Sequence, residues 1–256
     1  RKIGIILITT LALTLNVNAS SDGELLLKKN DPSEINDCSE GFNRASFALN
    51  QVLDGIIFKP VARAYRVMPS PFKTGVSNSL ENLSNLVTIP NNIIQGDFEQ
   101  AGSNTGRFLI NSTVGLLGIV DVAQYLGFSE YEKEDYGQSL AKHGVSPGCY
   151  IVLPILGPST ARDTVATAAN FFGGDAWYNV TVRNDTHYFS DVDYYSSKIT
   201  GGVDFRAKNF DSLENLEKNS LDFYASVKSL YLQDRQQKIL NTKKIINTQD
   251  DSDWEE

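Results

Sequence analysis

Five charged side chains stand inside otherwise apolar segments of the sequence, and their chemistry needs an explanation first. They are Arg44, Arg107, Asp135, Arg162 and Asp163. One explanation is structural: ion pairs that are buried or half-buried would hold helices together, and truncating one partner of such a pair costs about 3–5 kcal/mol. The other is functional: in a protein surrounded by lipid, charges face a water-filled interior and could line a polar pathway. For any single one of these residues, the structural explanation is the more common.

Side chains that could act as catalysts or metal ligands are scarce. Neither of the two histidines, His143 and His187, has a cysteine, a second histidine or an acidic pair nearby at metal-ligand spacing. Ser139 lies four residues before His143 and could pair with it as nucleophile and base, but no acid or oxyanion donor accompanies them. No nucleophile elbow, P-loop or dinucleotide fingerprint occurs. We therefore predict that the protein is not an enzyme and has no metal site and no cofactor.

The composition limits the class of protein. A chain of 256 residues of which 41% are hydrophobic can bury a sizeable core in one domain. Its formal net charge of −8 would repel a phosphate backbone, which argues against nucleic acid as a partner.

The N-terminus has the pattern of a secretory signal. Residues 1–19 combine a basic start, an apolar run from Ile3 to Leu15 and the small-x-small sequence Val17-Asn18-Ala19. The apolar run is shorter than the roughly 20 residues that a helix needs to span a bilayer. We therefore predict that the signal is cleaved and the chain exported, with an uncleaved signal that anchors the chain as the alternative.

Export would place the two cysteines in a compartment where disulfides persist. A bridge between Cys38 and Cys149 would close a loop of a little over a hundred residues, for which the chain-entropy model gives roughly 4.7 kcal/mol. Two free buried cysteines are the alternative, and the sequence leaves both open.

Apolar residues recur at spacings of three and four along several stretches, which indicates short amphipathic helices. Proline interrupts them: Pro60 should end or kink the first helix, and a later stripe stops before Pro90. The stripes are Phe42, Ala45, Leu49, Val52 and Ile56; Phe72, Val76, Leu80, Leu83 and Leu86; Phe98, Ala101, Thr105, Phe108 and Leu109; and, on one long C-terminal helix, Leu213, Leu216, Ser220, Phe223, Val227 and Leu230. We predict a mainly α fold, a single domain of short amphipathic helices over 38–240, with a flexible lead-in over 20–37 and an acidic disordered tail over 241–256.

Two apolar segments lack a polar face and are either buried or in contact with lipid. The first is 114–120, and the second is Pro147–Pro158, where Tyr150–Leu153 is typical of one arm of a short hairpin. Ser159 or Thr160 should then cap an Ala-rich helix.

An aromatic-rich stretch follows that helix. Its rings would either pack in the core or form a belt at a membrane interface, and core packing is the more common case. The aromatic residues are Trp177, Tyr178, Tyr188, Phe189, Tyr194 and Tyr195.

Several motifs occur in the order that is typical of one protein family. They are Glu40-Gly41-Phe42-Asn43-Arg44, Lys59-Pro60-Val61-Ala62-Arg63-Ala64-Tyr65-Arg66, Gly106-Arg107-Phe108-Leu109-Ile110-Asn111-Ser112-Thr113-Val114-Gly115-Leu116, Asp135-Tyr136-Gly137-Gln138-Ser139-Leu140, the segment from Pro147 to Asp163, Val203-Asp204-Phe205-Arg206-Ala207, Asp222-Phe223-Tyr224-Ala225 and Tyr231-Leu232-Gln233-Asp234-Arg235. Together they resemble the VacJ/MlaA family of outer-membrane phospholipid-transport proteins, over nearly all of residues 37–240.

The resemblance implies a fold and a function. The expected fold is a ring of short amphipathic helices in the periplasmic leaflet of the outer membrane, around a polar channel. Phospholipid mislocalised to the outer leaflet would pass through it to a periplasmic carrier, which maintains membrane asymmetry without any chemical step. The implied partners are phospholipid, a trimeric porin and a soluble periplasmic lipid-binding shuttle protein. The runner-up function is a periplasmic scaffold of envelope complexes that conducts no lipid.

The resemblance also suggests which residues contact lipid and how the chain is attached. The expected lipid contacts are Val114, Leu116, Leu117, Ile119, Tyr150, Ile151, Val152, Leu153, Ile155 and Leu156. Family members usually carry a lipidated cysteine directly after the signal, and this sequence has none near Ser20. A periplasmic or signal-anchored protein is therefore the alternative to the outer-membrane location.

Overall fold

The structure is a computed structural model that describes residues 35–183 and 189–240. The predicted signal, most of the lead-in, His187 and the acidic tail lie outside these residues. In chain order the helices are α1 (Glu40–Leu53), α2 (Lys59–Arg66), α3 (Ser70–Gln95), α4 (Phe98–Thr113), α5 (Val122–Tyr125), α6 (Tyr136–Lys142), α7 (Ala161–Ala169), α8 (Ala176–Tyr178), α9 (Asp191–Lys208), α10 (Phe210–Asn219) and α11 (Phe223–Leu240). A two-stranded sheet, β1 (Tyr150–Leu153) and β2 (Gly157–Thr160), lies between α6 and α7, and the prediction of a mainly helical single domain with one short hairpin is confirmed.

Side-chain caps explain where many of the helices begin. Asp97, Asp121 and Asp135 each accept a hydrogen bond from the backbone N–H three residues later, at the starts of α4, α5 and α6. Thr160 caps α7 in the same way, as one of the two predicted caps, and Ser190 opens α9 with a capping box. The short polar residues before each helix thus satisfy N–H groups that the helix itself leaves unpaired.

Helix α3 differs from the sequence prediction. It runs through Pro90 as one helix of 26 residues and ends at Gly96, whose φ of +80° closes the last turn. Proline removes one backbone hydrogen bond, but the turn that contains it is held from the side. Asn91 and Asn92, which follow Pro90, are both buried, and the Asn104 amide of α4 donates to Asn92 Oδ1 over 2.9 Å. Packing therefore outweighs the local effect of the proline.

The prediction of a single long C-terminal helix, made from the apolar stripe, is wrong. The chain instead forms α10 and α11, separated at Ser220, whose backbone is extended (φ −80°, ψ 136°). Asp222 then accepts a hydrogen bond from the Ala225 N–H and starts the second helix. A stripe with a period of three to four continues across this break, so the sequence pattern alone did not reveal it.

Helix α1 covers one edge of the hairpin with two asparagines. Asn43 donates to the Tyr150 carbonyl and accepts from the Val152 N–H, both at 2.9 Å. Two helical turns later, Asn50 donates to the Leu153 carbonyl over 2.9 Å and accepts from the Ile155 N–H over 2.6 Å. The exposed edge of β1 is thereby paired, as a strand edge requires.

A disulfide joins Cys38 to Cys149 directly before β1. The Tyr150 N–H also donates to the Asn36 carbonyl over 2.9 Å, so the described N-terminal segment is attached to the hairpin at two adjacent points. Of the two alternatives that the sequence left open, the structure has the bridge.

Candidate functional site

Helices α3 and α4 face the interior with polar side chains. The buried polar residues are Ser77, Asn82, Asn85, Thr88, Asn91 and Asn92 on α3 and Asn104, Arg107 and Asn111 on α4. Most of these positions lie three or four residues apart, so each helix turns one polar face toward its neighbours. Only part of this polarity is satisfied: the Oδ1 atoms of Asn82, Asn85 and Asn104 are buried without a partner among the described residues. Each such atom costs about 1–3 kcal/mol, so stability alone does not explain the polar interior.

The apolar faces of the helices point outward. Phe42 of α1 is 60% exposed and Ile56, in the π-helical segment Asp54–Phe58 that joins α1 to α2, is 71% exposed, whereas Asn43 and Ser46 are buried. The stripe predicted from the sequence therefore exists, but it faces away from the protein. Exposed apolar side chains also occur on several other elements, including Ile93, Ile94, Phe98, Leu109, Val114, Leu116, Leu117, Ile119, Tyr125, Leu126, Ile155, Leu156, Val165, Phe171, Phe172, Val192 and Ile199.

Apolar surface of this extent is rare on proteins surrounded only by water. Helices that keep an apolar face outward suit the boundary between lipid headgroups and acyl chains. Among residues 35–183 and 189–240, no helix combines the length and the hydropathy that crossing a bilayer requires.

A cleft of about 470 Å³ lies between α3 and α9. Charged side chains of both signs line it: Glu81, Lys133, Lys198, Asp204 and Lys208. Lys208 Nζ lies 3.0 Å from Asp204 Oδ2 and 3.9 Å from Glu81 Oε1. Burial raises the pKa of Glu81, and the nearby Lys208 only partly opposes this shift. Leu80, Leu83, Tyr131, Trp177 and Phe205 also line it, so charged groups of both signs lie beside apolar side chains. We call this space the polar cleft for its charges.

Three of the five predicted charges meet in one cluster. Arg235 of α11 lies at its centre: Nη1 is 2.6 Å from Asp135 Oδ2, and Nε is 2.9 Å from Asp163 Oδ2. Arg162 Nε lies 2.9 Å from Asp163 Oδ1. Burial alone would raise the pKa of both aspartates, but the hydrogen bonds and charges of the arginines outweigh it and hold these pKa values below their usual range. The cluster connects α6, α7 and α11.

Arg235 was missed as a site residue, although its segment belongs to one of the recognised motifs. The nearest charge on its own helix is Asp234, and its partners precede it by 72 and 100 residues. Tyr231, one turn before it, also donates to Asp163 Oδ2 over 2.9 Å. The only sequence signal was the cluster of Tyr231 and Arg235 on one helix face.

The other two predicted charges lie apart from this cluster. Buried Arg107 pairs with Asp121 at 2.5 Å and donates to the Ser129 carbonyl. Arg44 is half-exposed and lies 2.6 Å from Asp222 and 2.7 Å from Glu40. All five residues therefore have opposite charges as neighbours, and none of them lines the cleft.

Ser139 and His143 do not form a nucleophile and base. Ser139 Oγ donates to Asn91 Oδ1 over 2.6 Å, and His143 Nδ1 lies 2.8 Å from the Ser139 carbonyl oxygen instead. Within the described part of the chain, no group of three or more metal-ligating side chains is positioned to hold an ion.

The predicted lipid contacts divide into three groups by exposure. Val114, Leu116, Leu117 and Ile119 are exposed, as are Ile155 and Leu156 at the hairpin turn, while Ile151 and Leu153 are half-buried. Tyr150 and Val152 are fully buried and pack on Tyr224 and Leu232, so the prediction of lipid contact is wrong for these two. The reason is the alternation of a strand, which turns every second side chain inward.

Known proteins resemble this chain over most of its length. The family model described as MlaA lipoprotein matches residues 35–238. The "Intermembrane phospholipid transport system lipoprotein MlaA" of Escherichia coli (strain K12) is 32% identical over 228 residues, which cover 87% of this chain and 84% of that protein. A protein of Rickettsia bellii (strain RML369-C) is 32% identical over 215 residues, with 81% of this chain and 80% of that protein covered.

A solved structure shares the fold as well. It is described as "Structural basis for maintenance of bacterial outer membrane lipid asymmetry", and it superposes with a TM-score of 0.66 at 31% identity, covering 79% of this chain and 98% of that one. Family model, relatives and fold agree, and the chain belongs to the MlaA lipoprotein family.

Proposed function

We propose that the protein removes mislocalised phospholipid from the outer leaflet of the outer membrane and passes it to a periplasmic carrier, and so maintains lipid asymmetry. The observation that carries this proposal is the reversed polarity of the helices. Apolar faces such as that of Phe42 and Ile56 point outward, while buried asparagines lie between the helices and charged side chains line the cleft.

The reversed polarity matches the physical problem of moving a phospholipid. A charged headgroup cannot cross hydrocarbon without a large loss of solvation free energy, whereas acyl chains can stay in it. In the proposed mechanism the headgroup follows the polar cleft between α3 and α9, and the acyl chains remain against the apolar outer faces. No bond is made or broken, and the protein would therefore not be an enzyme.

The proposal includes a location and partners. Exposed apolar side chains on α1, on the 114–120 turn and at the hairpin turn support a position in the periplasmic leaflet of the outer membrane. The E. coli relative is named as part of an intermembrane transport system, which supports a soluble periplasmic shuttle protein as the acceptor of the lipid. A trimeric porin is the proposed neighbour in the membrane.

A matched pair of glycine variants tests the role of the cleft. Gly202 of α9 lines the cleft, and a Cβ atom added there meets no atom within 4 Å, so Gly202→Phe should start without a clash at the backbone and narrow the cleft with its ring. Gly102 of α4 is equally open but does not line the cleft, so Gly102→Phe is the control. Outer-leaflet phospholipid is measured with a phospholipase probe in a strain that lacks the protein. The strain carries a plasmid copy of the wild type, of Gly102→Phe or of Gly202→Phe.

The expected result is that deletion raises outer-leaflet phospholipid, that the wild-type and Gly102→Phe copies restore the low level, and that Gly202→Phe does not. No rise on deletion would refute lipid removal and favour the envelope scaffold. Full restoration by Gly202→Phe, at matched protein levels, would show that lipid does not pass through this cleft.

A further inference from the structure

A second cavity, of about 350 Å³, lies where the chain turns from α7 into α8 and packs against α9. Its wall combines the aromatic rings of Phe171, Phe172, Tyr178, Tyr194 and Tyr195 with one cation, Arg183, and one carboxylate, Asp175. We call it the aromatic pocket. It is separate from the polar cleft, but the two are neighbours, because Trp177 and Lys198 of the cleft both pack on Tyr194 of the pocket.

The rings of the aromatic pocket form a continuous cluster. Tyr194 lies at its centre, with ring centroids at 4.9 Å from Trp177, 5.0 Å from Tyr178 and 5.2 Å from Tyr195. Aromatic faces attract ammonium groups, and cages of such rings are used to bind quaternary ammonium ligands. The rings already contact one ammonium group of the protein itself: Lys198 Nζ lies 5.0 Å from the centroid of the Tyr194 ring and 5.1 Å from that of the Trp177 ring. Its chemistry is therefore suited to a cation.

Besides Asp175, whose Oδ2 accepts from the Tyr194 hydroxyl and from Lys198 Nζ, two polar groups line the pocket. Arg183 has an exposed side chain, and no described carboxylate lies within ion-pair distance of it. A guanidinium binds phosphate through paired hydrogen bonds, which makes it the natural partner of a phosphodiester. Asn170, which also lines the pocket, has a buried Oδ1 without a donor among the described residues, and an ammonium group could donate to it.

The mouth of the aromatic pocket opens at the apolar outer surface. Phe171 is 73% exposed and Phe172 is 90% exposed, and they follow the exposed Val165 along the same stretch of chain. The pocket thus brings together exposed apolar rings, one cation and rings that can bind an ammonium group. A zwitterionic phospholipid carries one group for each of these: acyl chains, a phosphodiester and an ammonium.

We propose that the aromatic pocket is the docking site for the headgroup of a zwitterionic phospholipid, with the phosphodiester on Arg183 and the ammonium against Tyr178, Tyr194 and Tyr195. The lipid would dock here from the bilayer and then pass into the polar cleft behind Tyr194. This inference rests on the proposed function, since it names the place and the headgroup class for the same transport step.

Trp177 provides a built-in reporter for a test. The sequence has two tryptophans, so Trp254→Phe leaves Trp177, beside the pocket, as the single fluorophore. The full chain is placed in vesicles of phosphatidylethanolamine that contain phosphatidylcholine spin-labelled either on the headgroup or deep in an acyl chain. Arg183→Gln is compared with Arg63→Gln, an exposed arginine near Phe210 that is distant from the pocket in sequence and lines neither cavity.

The headgroup label should quench Trp177 more strongly than the acyl label. Arg183→Gln should weaken the headgroup effect roughly tenfold in apparent affinity, the loss expected for one charged hydrogen bond. Arg63→Gln should leave it unchanged. Phosphatidylglycerol, which has no ammonium, should compete poorly, and soluble glycerophosphocholine should compete poorly as well if acyl chains at Phe171 and Phe172 contribute.

Several outcomes would overturn the docking site. They are equal quenching by the two labels, equal behaviour of Arg183→Gln and Arg63→Gln, and equal competition by phosphatidylglycerol. Strong competition by the soluble headgroup would show a site for free phosphodiesters and not for a membrane lipid. If the wild-type protein removes lipid in cells but Arg183→Gln does not weaken the quenching of Trp177, only the docking site is refuted. If deletion of the protein leaves outer-leaflet phospholipid unchanged, the proposed function itself fails.

Discussion

Replacing Arg235 with glutamine tests whether the charge cluster of α6, α7 and α11 is structural. The side chain is 12% exposed and makes ion pairs with Asp135, which is 39% exposed, and with Asp163, which is 9% exposed. Its loss therefore leaves one buried carboxylate, Asp163, with Arg162 as the one remaining cation in the cluster. Breaking a buried pair in this way costs about 3–5 kcal/mol. For a domain of about this size, 1 kcal/mol corresponds to roughly 2–4 °C, so the melting temperature should fall by about 6–20 °C.

Arg44→Gln is the matched control for this measurement. Arg44 also bridges two acids, Asp222 and Glu40, but its side chain is 44% exposed, and pairs of that kind contribute only about 0.2–1 kcal/mol. Both variants are purified in detergent and unfolded by heat while circular dichroism is recorded. A drop for Arg235→Gln no larger than that for Arg44→Gln would refute the reasoning. Cells that express Arg235→Gln are also grown at low temperature, where the variant can fold. If lipid is still removed there, the cluster holds helices together and does not conduct lipid.

Three further predictions concern stability. Burial raises the pKa of Glu134 from 4.5 to about 7, so protonation of this side chain favours the folded state. The free energy of unfolding should therefore rise by up to roughly 3 kcal/mol as the pH falls from 8 to 5. Urea titrations at each pH measure this profile, and Glu134→Gln should flatten it. A depressed pKa of the same group would leave the profile nearly flat between pH 8 and 5, because its contribution to stability is lost only below the unfolded-state pKa of 4.5. The Cys38–Cys149 bridge closes a loop with a sequence separation of 111, so reducing it should lower the urea midpoint of unfolding, with an entropic limit of about 4.7 kcal/mol on the lost free energy. The Cys38→Ala, Cys149→Ala double variant should not respond to reductant. An unchanged midpoint of the wild type would contradict this prediction. Asn50→Ala should speed hydrogen exchange at the Ile155 amide, which loses its acceptor, and exchange as slow as in the wild type would show that the edge of the hairpin is protected by other contacts.

The sequence predicted the helices better than their orientation. The stripe of Phe42, Leu49, Val52 and Ile56 correctly predicted an amphipathic helix, and the period of three to four places these residues on one face. A periodic pattern shows that two faces differ, but it does not show which face meets the surroundings. Here the polar face of Asn43 and Ser46 is the inner one, and only the packed structure reveals this.

Local rules failed where long-range packing acts on the chain. Pro90 predicted the end of a helix, yet α3 continues because Asn92 is held by Asn104 across the helix pair. The apolar character of Tyr150–Leu153 left burial and lipid contact open, and the family resemblance favoured lipid contact for all four residues, whereas strand alternation and the packing of Tyr224 bury two of them. Both errors arose because neighbours in space contributed more free energy than neighbours in sequence.

The sequence by itself determined the family, the mainly helical fold, the hairpin and three of the charged residues that prove to be buried: Arg107, Arg162 and Asp163. Tertiary structure alone decided how those charges are paired, because Arg235 reaches its partners across 72 and 100 residues. It also decided where the polar cleft lies and that the aromatic pocket stands beside it. Motifs report which residue types occur in which order, whereas a cavity exists only where elements distant in the chain fail to fill the space between them.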